Sequence, residues 1–294
     1  MSEGASRLLR SACLRLLTVA AVVLVAGLAC ATMVRFAPGF GTDERELDSR
    51  LNSESIAALR AQHESERNVA QFYFHYIGGL LHGDLGEART FSEPVSELLK
   101  QRAPATAENI GYGLALAWSI TLIATLIAAA LQKTGAELLL SATSIALVSL
   151  PAAIVALLVV IARKPASLAV ALALLPVLYR YSRNVIQKNC ECSWIAAARA
   201  RGVSETRILF CHVLPGAAPQ LIALAGVSLN MAFGAALPVE VIADSPGIGQ
   251  LAWQAALARD LPLLITITGI IATMTLLANA AAATLNDAFQ MEHA

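Results

Sequence analysis

Charged side chains are scarce in this 294-residue chain: Asp, Glu, Lys and Arg make up 14% of it, where an ordinary soluble domain carries about 25%. The 21 basic and 21 acidic residues cancel, which removes the basic face that a nucleic-acid partner requires. Nucleotide chemistry is missing too. No Gly-Lys dipeptide occurs, so there is no Gly-x4-Gly-Lys-Ser/Thr phosphate loop, and neither Gly-x-Ser-x-Gly nor His-Glu-x-x-His is present. A process driven by ATP would need its nucleotide on another polypeptide. The five cysteines, Cys13, Cys30, Cys190, Cys192 and Cys211, are odd in number and lie mostly in or beside apolar segments, which is no disulfide framework. Cys190-x-Cys192 has no second Cys/His pair at ligand spacing, and His63, His75 and His82 are too loosely spaced, so no metal and no bound cofactor are expected.

Apolar residues are what the chain has in abundance: 57% of the sequence, with a mean hydropathy of +0.63. The run over residues 12–34 slightly exceeds the ~20 residues of a spanning helix. A cleaved signal peptide would show an apolar region of only ~7–15 residues, and Gly27-Leu28-Ala29-Cys30 has the wrong order for a lipoprotein box. A retained helix is the preferred reading. Residues 36–103 form a polar excursion. It contains helical spacing over 53–70, an aromatic group (Phe72, Tyr73, Phe74, Tyr76), the turn Gly83-Asp84-Leu85-Gly86 and a short amphipathic helix over 94–102. Pro104 opens a second membrane segment over 106–131. A third covers 138–162 with a kink at Pro151. A fourth covers 166–178, a fifth 221–241 and a sixth 263–285, with a polar, re-entrant-looking stretch at 242–260.

The expected fold is therefore all-α, a polytopic membrane protein with six transmembrane helices. Its expected parts are an N-terminal tip and first helix (1–35), an external helical subdomain (36–103) and a five-helix core (104–294) with a cytoplasmic loop at 184–218. Charge orients it. Arg7, Arg10, Arg15, Lys133, Arg180, Arg183, Lys188, Arg199, Arg201 and Arg207 fall on one side. The short loops opposite hold only Arg163, Lys164 and Arg259. By the positive-inside rule both termini are cytoplasmic.

The most informative stretch is the polar interruption at 194–219. Ala196, Ala197, Ala198 and Ala200 favour helix, while Arg199, Arg201 and Arg207 keep the segment out of the bilayer. Gly202 breaks that helix, and Ser204 is placed to cap a second one carrying Ile208, Leu209, Val213 and Leu214 before Pro215. The alternative is an ordinary amphipathic connector. Within the spans, Ser119, Thr121, Ser228, Asn230 and Asn279 either line a path or make interhelical hydrogen bonds, worth about 0.6 kcal/mol each on average. No span carries a central Asp, Glu or Lys of the kind an ion-coupled carrier uses. Glu240 is expected at the outer mouth beside the turn Pro246-Gly247-x-Gly249, with gating and turn-making both open.

These residues carry a resemblance. Ala197-Ala198-x3-Gly202 followed by Leu214-Pro215 is similar to the cytoplasmic EAA loop of ABC importer permeases, with Ala196 where the family has Glu and His212 where it has Ile. Four further blocks resemble the first permease subunit of dipeptide, oligopeptide and nickel importers. They are Arg35-x-x-Pro38-Gly39, Gly83 to Gly86, Arg102-x-Pro104-Ala105-Thr106, and Glu240 with Pro246-Gly247-Ile248-Gly249-Gln250-Leu251 and Arg259-Asp260-x-Pro262. The short connection between third and fourth segments and the tail at 286–294, without an Asp-Pro-Arg ending, depart from that branch.

The resemblance implies a type I importer permease of the inner membrane, not itself an enzyme. Ala196, Ala197, Ala198, Arg199, Arg201, Gly202, Leu214 and Pro215 would couple it to the ATPase. Glu240, Pro246, Gly247, Gly249, Arg259 and Asp260 would form the outer mouth. The implied partners are a second homologous permease, two ATPase subunits holding ATP and magnesium, an external solute-binding protein and membrane lipid, with no nucleic acid. Di- or oligopeptides are the expected cargo and nickel chelates the variant. The rival readings are an ion-gradient carrier working alone and a non-transporting membrane scaffold.

Overall fold

The computed structural model describes residues 17–18, 20–30, 32–33, 77–79, 82–130, 143–144 and 146–292. The helix expected over 53–70, the aromatic group at 72–76 and the first part of the third segment lie outside the described residues. In chain order the elements are α1 (Ala20–Cys30), the strands β1 (Glu87–Ala88) and β2 (Glu93–Pro94), α2 (Val95–Ala130), α3 (Ala152–Ile161) and α4 (Ala166–Cys190). There follow α5 (Ser193–Ala200), α6 (Glu205–Ile208), a π turn (Leu209–Val213), α7 (Leu214–Ile242), α8 (Ile248–Ala258) and α9 (Leu261–Glu292). Among the described residues, three stretches are long and apolar enough to cross a membrane: Val95–Ala129, Glu205–Ile242 and Leu261–Ala281. The apolar helices α1 and α3 are shorter.

Several boundaries differ from the sequence expectation. Pro104 does not open a new helix; it lies inside the 36 residues of α2. Both it and Lys100, whose carbonyl the proline leaves without a donor, are exposed, so the interruption is tolerated. Pro151 breaks the third segment instead of kinking it: helical residues 146–148 precede it, and it is the extended N-cap of α3 (φ −57°, ψ 142°), a place where a missing N–H is harmless. The fourth segment does not stop at 178. With Leu174, Leu178, Ser182 and Ile186 all buried at four-residue spacing, the apolar stripe carries α4 on to Cys190. The polar stretch at 242–260 contains the helix α8.

The chain divides into two compact units. The larger comprises Met1–Leu16, Pro104–Gln250 and Thr275–Ala294. Its main core joins α2, α3, α4 and α7 through small and branched residues: Ala117, Ala156, Val159, Val170, Leu174, Ala232, Ala236 and Val239. The packing is tight. A methyl added at Gly113 would meet Val170 Cγ1 at 2.8 Å, well inside van der Waals contact. A second core, of Ile186, Ile195, Ala198, Ile208, Val213, Ala217 and Leu221, knits α4 to α5, α6 and the foot of α7.

The smaller unit comprises Leu17–Ala103 and Leu251–Met274. Its hairpin pairs Glu87 with Pro94 and Ala88 with Glu93. Gly86 enters it at φ +75°, its N–H bonded to Asp84 Oδ1 at 2.9 Å, an Asx-type turn that glycine alone adopts without strain. Asp260 organises the rest. Only 1% exposed, it accepts the Thr90 N–H at 2.9 Å and caps α9 through the Leu263 N–H at 3.3 Å.

Candidate functional site

The elbow between α4 and α7 is built from its buried side outward. Ile195 and Ala198, three residues apart on α5, sit in the second core. This leaves Trp194 (57% exposed), Ala196, Ala197, Ala200 and Arg201 on the open side. Trp194, Ala197 and Arg201 follow the spacing that puts three residues on one helical face. The helix ends in a Schellman motif. The Gly202 N–H reaches Arg199 O at 2.9 Å and the Val203 N–H reaches Ala198 O at 3.2 Å, while Gly202 takes φ +78°. Nothing lies within 4 Å of where a Gly202 side chain would start. The demand on Gly202 is therefore conformational, not steric.

Across that turn the guanidinium of Arg199 forms a two-bond fork with Glu205. Nε donates to Oε1 at 2.7 Å and Nη2 to Oε2 at 3.1 Å, a charge-assisted pairing. The carboxylate on it raises Arg199 above its ordinary pKa. Arg199 is thus engaged inside the elbow, while Arg201 stays exposed with Nε on its own helix at Ala197 O, 3.2 Å away. Ser204 holds the N-cap position of α6 but its side chain makes no cap bond. Its hydroxyl lies 3.5 Å from that of Thr206 instead.

The second elbow helix does not end at Pro215. From Glu205 to Ile242 the chain is one helical run, widened into a π turn at Leu209–Val213. A proline inside a helix removes one N–H and crowds the carbonyl four residues back. Here that is Cys211, which lies within the widened turn, so the π geometry makes room for the ring. Leu214 and Pro215 thus join the elbow to α7 without a break. At the corner before the elbow, burial pushes the Cys190 thiol above its ordinary pKa, with Arg199 acting the other way. A protonated thiol is a poor ligand and nucleophile. Among the described residues no group of three His, Cys, Asp or Glu is arranged to hold a metal.

At the other end of α7 lies a buried polar knot. Glu240 is 0% exposed. Its Oε2 accepts the Gly249 N–H at 2.7 Å and its Oε1 the Asn109 amide at 3.4 Å. The Thr106 hydroxyl hydrogen-bonds the same carboxylate and accepts the Ile248 N–H at 2.7 Å. Asn109 also donates to Ser245 Oγ at 3.1 Å. The segment 243–249 is thereby tied to α2 and α7 together. Its glycines are what allow the approach. A side chain at Gly247 would overlap the Glu240 carboxylate, and one at Gly249 would meet Leu237 Cα at 2.8 Å. Pro246 is exposed at the tip.

The candidates expected at one mouth fall into different units. Glu240, Pro246, Gly247 and Gly249 belong to the larger, Arg259 and Asp260 to the smaller. Arg259 is exposed at φ +56°, and Asp260 is the hairpin anchor described above. The path-lining candidates also separate. Ser228 takes the interhelical alternative, accepting Trp118 Nε1 at 3.0 Å and donating to Ala225 O at 2.7 Å. Ser119 is exposed and bonds Ala115 O at 2.7 Å. Thr121 is fully buried on the opposite face of α2, with no hydrogen-bond partner for its hydroxyl among the described residues. Asn230 and Asn279 are half-buried.

Sequence reasoning missed Glu205, Thr106, Asn109, Trp118 and Trp194 as participants. Only Thr106 carried a signal, as the last residue of the Arg102-x-Pro104-Ala105-Thr106 block. Glu205, Asn109 and Trp118 pair across a turn or between helices far apart in sequence, where no spacing rule reaches, and Trp194 is set apart by its exposure.

Residues 103–291 match the family described as "Binding-protein-dependent transport system inner membrane component". A Brucella suis (biovar 1, strain 1330) protein, provisionally named a peptide transport system permease protein, is 25% identical over 71% of this chain and 75% of its own length. The oligopeptide transport system permease protein OppB of Salmonella typhimurium is 28% identical over 82% of this chain and 85% of its own. The nickel import system permease protein NikB of Staphylococcus aureus is 24% identical over 87% and 83%.

Proposed function

Because the chain belongs to the binding-protein-dependent transport system inner membrane components, the permease subunits of ABC importers, we propose that it passes di- or oligopeptides across the inner membrane and is driven through the elbow at Ser193–Pro215. Membership in this family brings with it a solute-binding protein and an ATPase as partners. In the proposed assembly this chain pairs with a second, homologous permease, since one set of helices seldom encloses a wide polar path. Two ATPase subunits carry ATP and magnesium. The chain crosses the membrane six times with both termini in the cytoplasm, and the part over 36–103 faces the binding protein.

One observation carries the reading. An alanine-rich helix with an exposed aromatic and an exposed arginine on one face is closed by a rigid turn and joined without interruption to the spanning helix α7. Alanine lets a partner backbone approach closely, a tryptophan anchors an interface, and a guanidinium suits a carboxylate rim. Ala196, Ala197, Arg201 and Gly202 form the docking piece, buried Ala198 seats it on the second core, Arg199 braces it, and Leu214 and Pro215 pass its movement to α7. Closure of the ATPases below would tilt α7 and open the cavity above. Peptide is favoured as cargo by the names of the Brucella and Salmonella relatives. The nickel permease relative supports metal chelates as the second reading. An ion-gradient carrier is disfavoured, since the buried carboxylate of α7 is already occupied by N–H and hydroxyl donors.

The test is co-purification of the tagged chain from its own membranes, followed by reconstitution. An associated ATPase and ATP-dependent peptide uptake are expected. A solitary chain that responds to an ion gradient refutes the proposal. Labelling of a cysteine at Ala197 from the external side would also refute it.

A further inference from the structure

The Glu240 knot is not needed for docking an ATPase, and a bilayer-spanning helix retains a buried carboxylate only where something binds it. What binds it here comes from two separate places. Thr106 and Asn109 stand on α2, and the Gly249 N–H belongs to the start of α8, beyond the turn. Both carboxylate oxygens are used as acceptors. Glu240 stands two residues before the end of α7 at Ile242, and the elbow opens into the other end of the same helix, which at ~1.5 Å per residue spans roughly 44 Å. We propose that Glu240 is a positioning residue that clamps the 243–249 turn to α2 and α7, so that movement entering α7 at the elbow is delivered to that turn rather than dissipated in a slack loop. The proposal rests on the importer reading for its consequence in transport, but the clamp itself is a property of this chain.

The chemistry of the clamp sets its own test. A glutamine at 240 has the same shape but only one accepting atom, so its NH2 group must face either the Gly249 N–H or the Asn109 amide. Glu240→Gln therefore breaks one strand of the knot while leaving the volume filled. An added Asn109→Asp supplies an acceptor opposite the new amide and re-forms the pair with donor and acceptor exchanged.

The experiment uses the full chain in its assembled complex, in a background with the native cysteines changed to serine. Spin labels are placed at Tyr112→Cys on α2 and Pro246→Cys in the turn, both exposed positions. In the unaltered knot a single narrow distance is expected. With Glu240→Gln the distribution broadens, and peptide taken up per ATP hydrolysed falls about tenfold, in the range of coupling between linked sites, while hydrolysis itself stays within twofold. Asn109→Asp with Glu240→Gln restores both readouts. Unchanged coupling in Glu240→Gln overturns the proposal. Equal loss of uptake and hydrolysis, tracking a fall in assembled complex at an unchanged distance, also overturns it, because the residue would then serve folding alone. Should the unaltered chain recruit no ATPase, the importer reading fails. The 112–246 distance and its response to the two variants would still decide whether the clamp exists.

Discussion

The two ends of α7 are built by opposite means. At the elbow, apolar contacts of Ile195, Ala198, Ile208 and Val213 hold two short helices against α4, the one ion pair is on the surface, and Gly202 has open space around it. At the knot, a carboxylate with no exposure is bound by donors from α2 and the turn, and two glycines are there because no side chain fits. Apolar contacts are non-directional and allow small slips, whereas buried hydrogen bonds to a carboxyl group have fixed geometry and fail abruptly. Under the proposed coupling, a soft seat at one end and a stiff fastening at the other would let α7 take up force from a partner and deliver it to a defined place.

That contrast can be tested by substitution, starting where the effect is largest. Gly249→Leu drives a side chain into Leu237 and the Glu240 carboxylate, so it is expected to destabilise by about 1–3 kcal/mol or more. Thermal unfolding of the purified complex reads this directly, and an unchanged melting temperature would break the stiff half of the comparison. Gly202→Val costs about 1–2 kcal/mol at a left-handed position. Gly202→Asn, which tolerates that conformation, is expected to retain near-normal uptake per ATP; equal loss in both variants would mean that space, not backbone conformation, matters at the turn.

Ser228→Ala removes the acceptor of the Trp118 N–H and little volume from the core. A loss of about 0.6 kcal/mol is expected, seen as a small fall in melting temperature with transport unaffected. Smallest is Arg199→Ala. The fork to Glu205 is solvent-exposed, so its removal is worth about 0.2–1 kcal/mol, less at high salt. A large effect that salt does not reduce would show that the elbow depends on this pair more than on its apolar seat.

Much of this was legible in advance, and the misses share a cause. The Ala-rich helix, the glycine that ends it, the turn at 246–249 and the apolar runs are local patterns, read from propensity and period. The continuation of α4 to Cys190 was missed because the arginines and lysine on its exposed side hid the four-residue stripe beneath. The passage of the elbow helix through Pro215 was missed because proline ordinarily ends a helix, and nothing local announces a π turn.

By itself the sequence determined that this is a helical membrane protein with an alanine-rich elbow, since hydropathy, helix propensity and glycine's backbone freedom act within a few residues of one another. Only the tertiary structure decided that Arg199 pairs with Glu205 on the surface, that Ser228 belongs to Trp118, and that Glu240 gathers residues 131 and 9 positions away. Those pairings are set by which helices the folded chain brings within hydrogen-bonding distance, and a buried polar group finds its partners wherever packing places them, regardless of their separation along the chain.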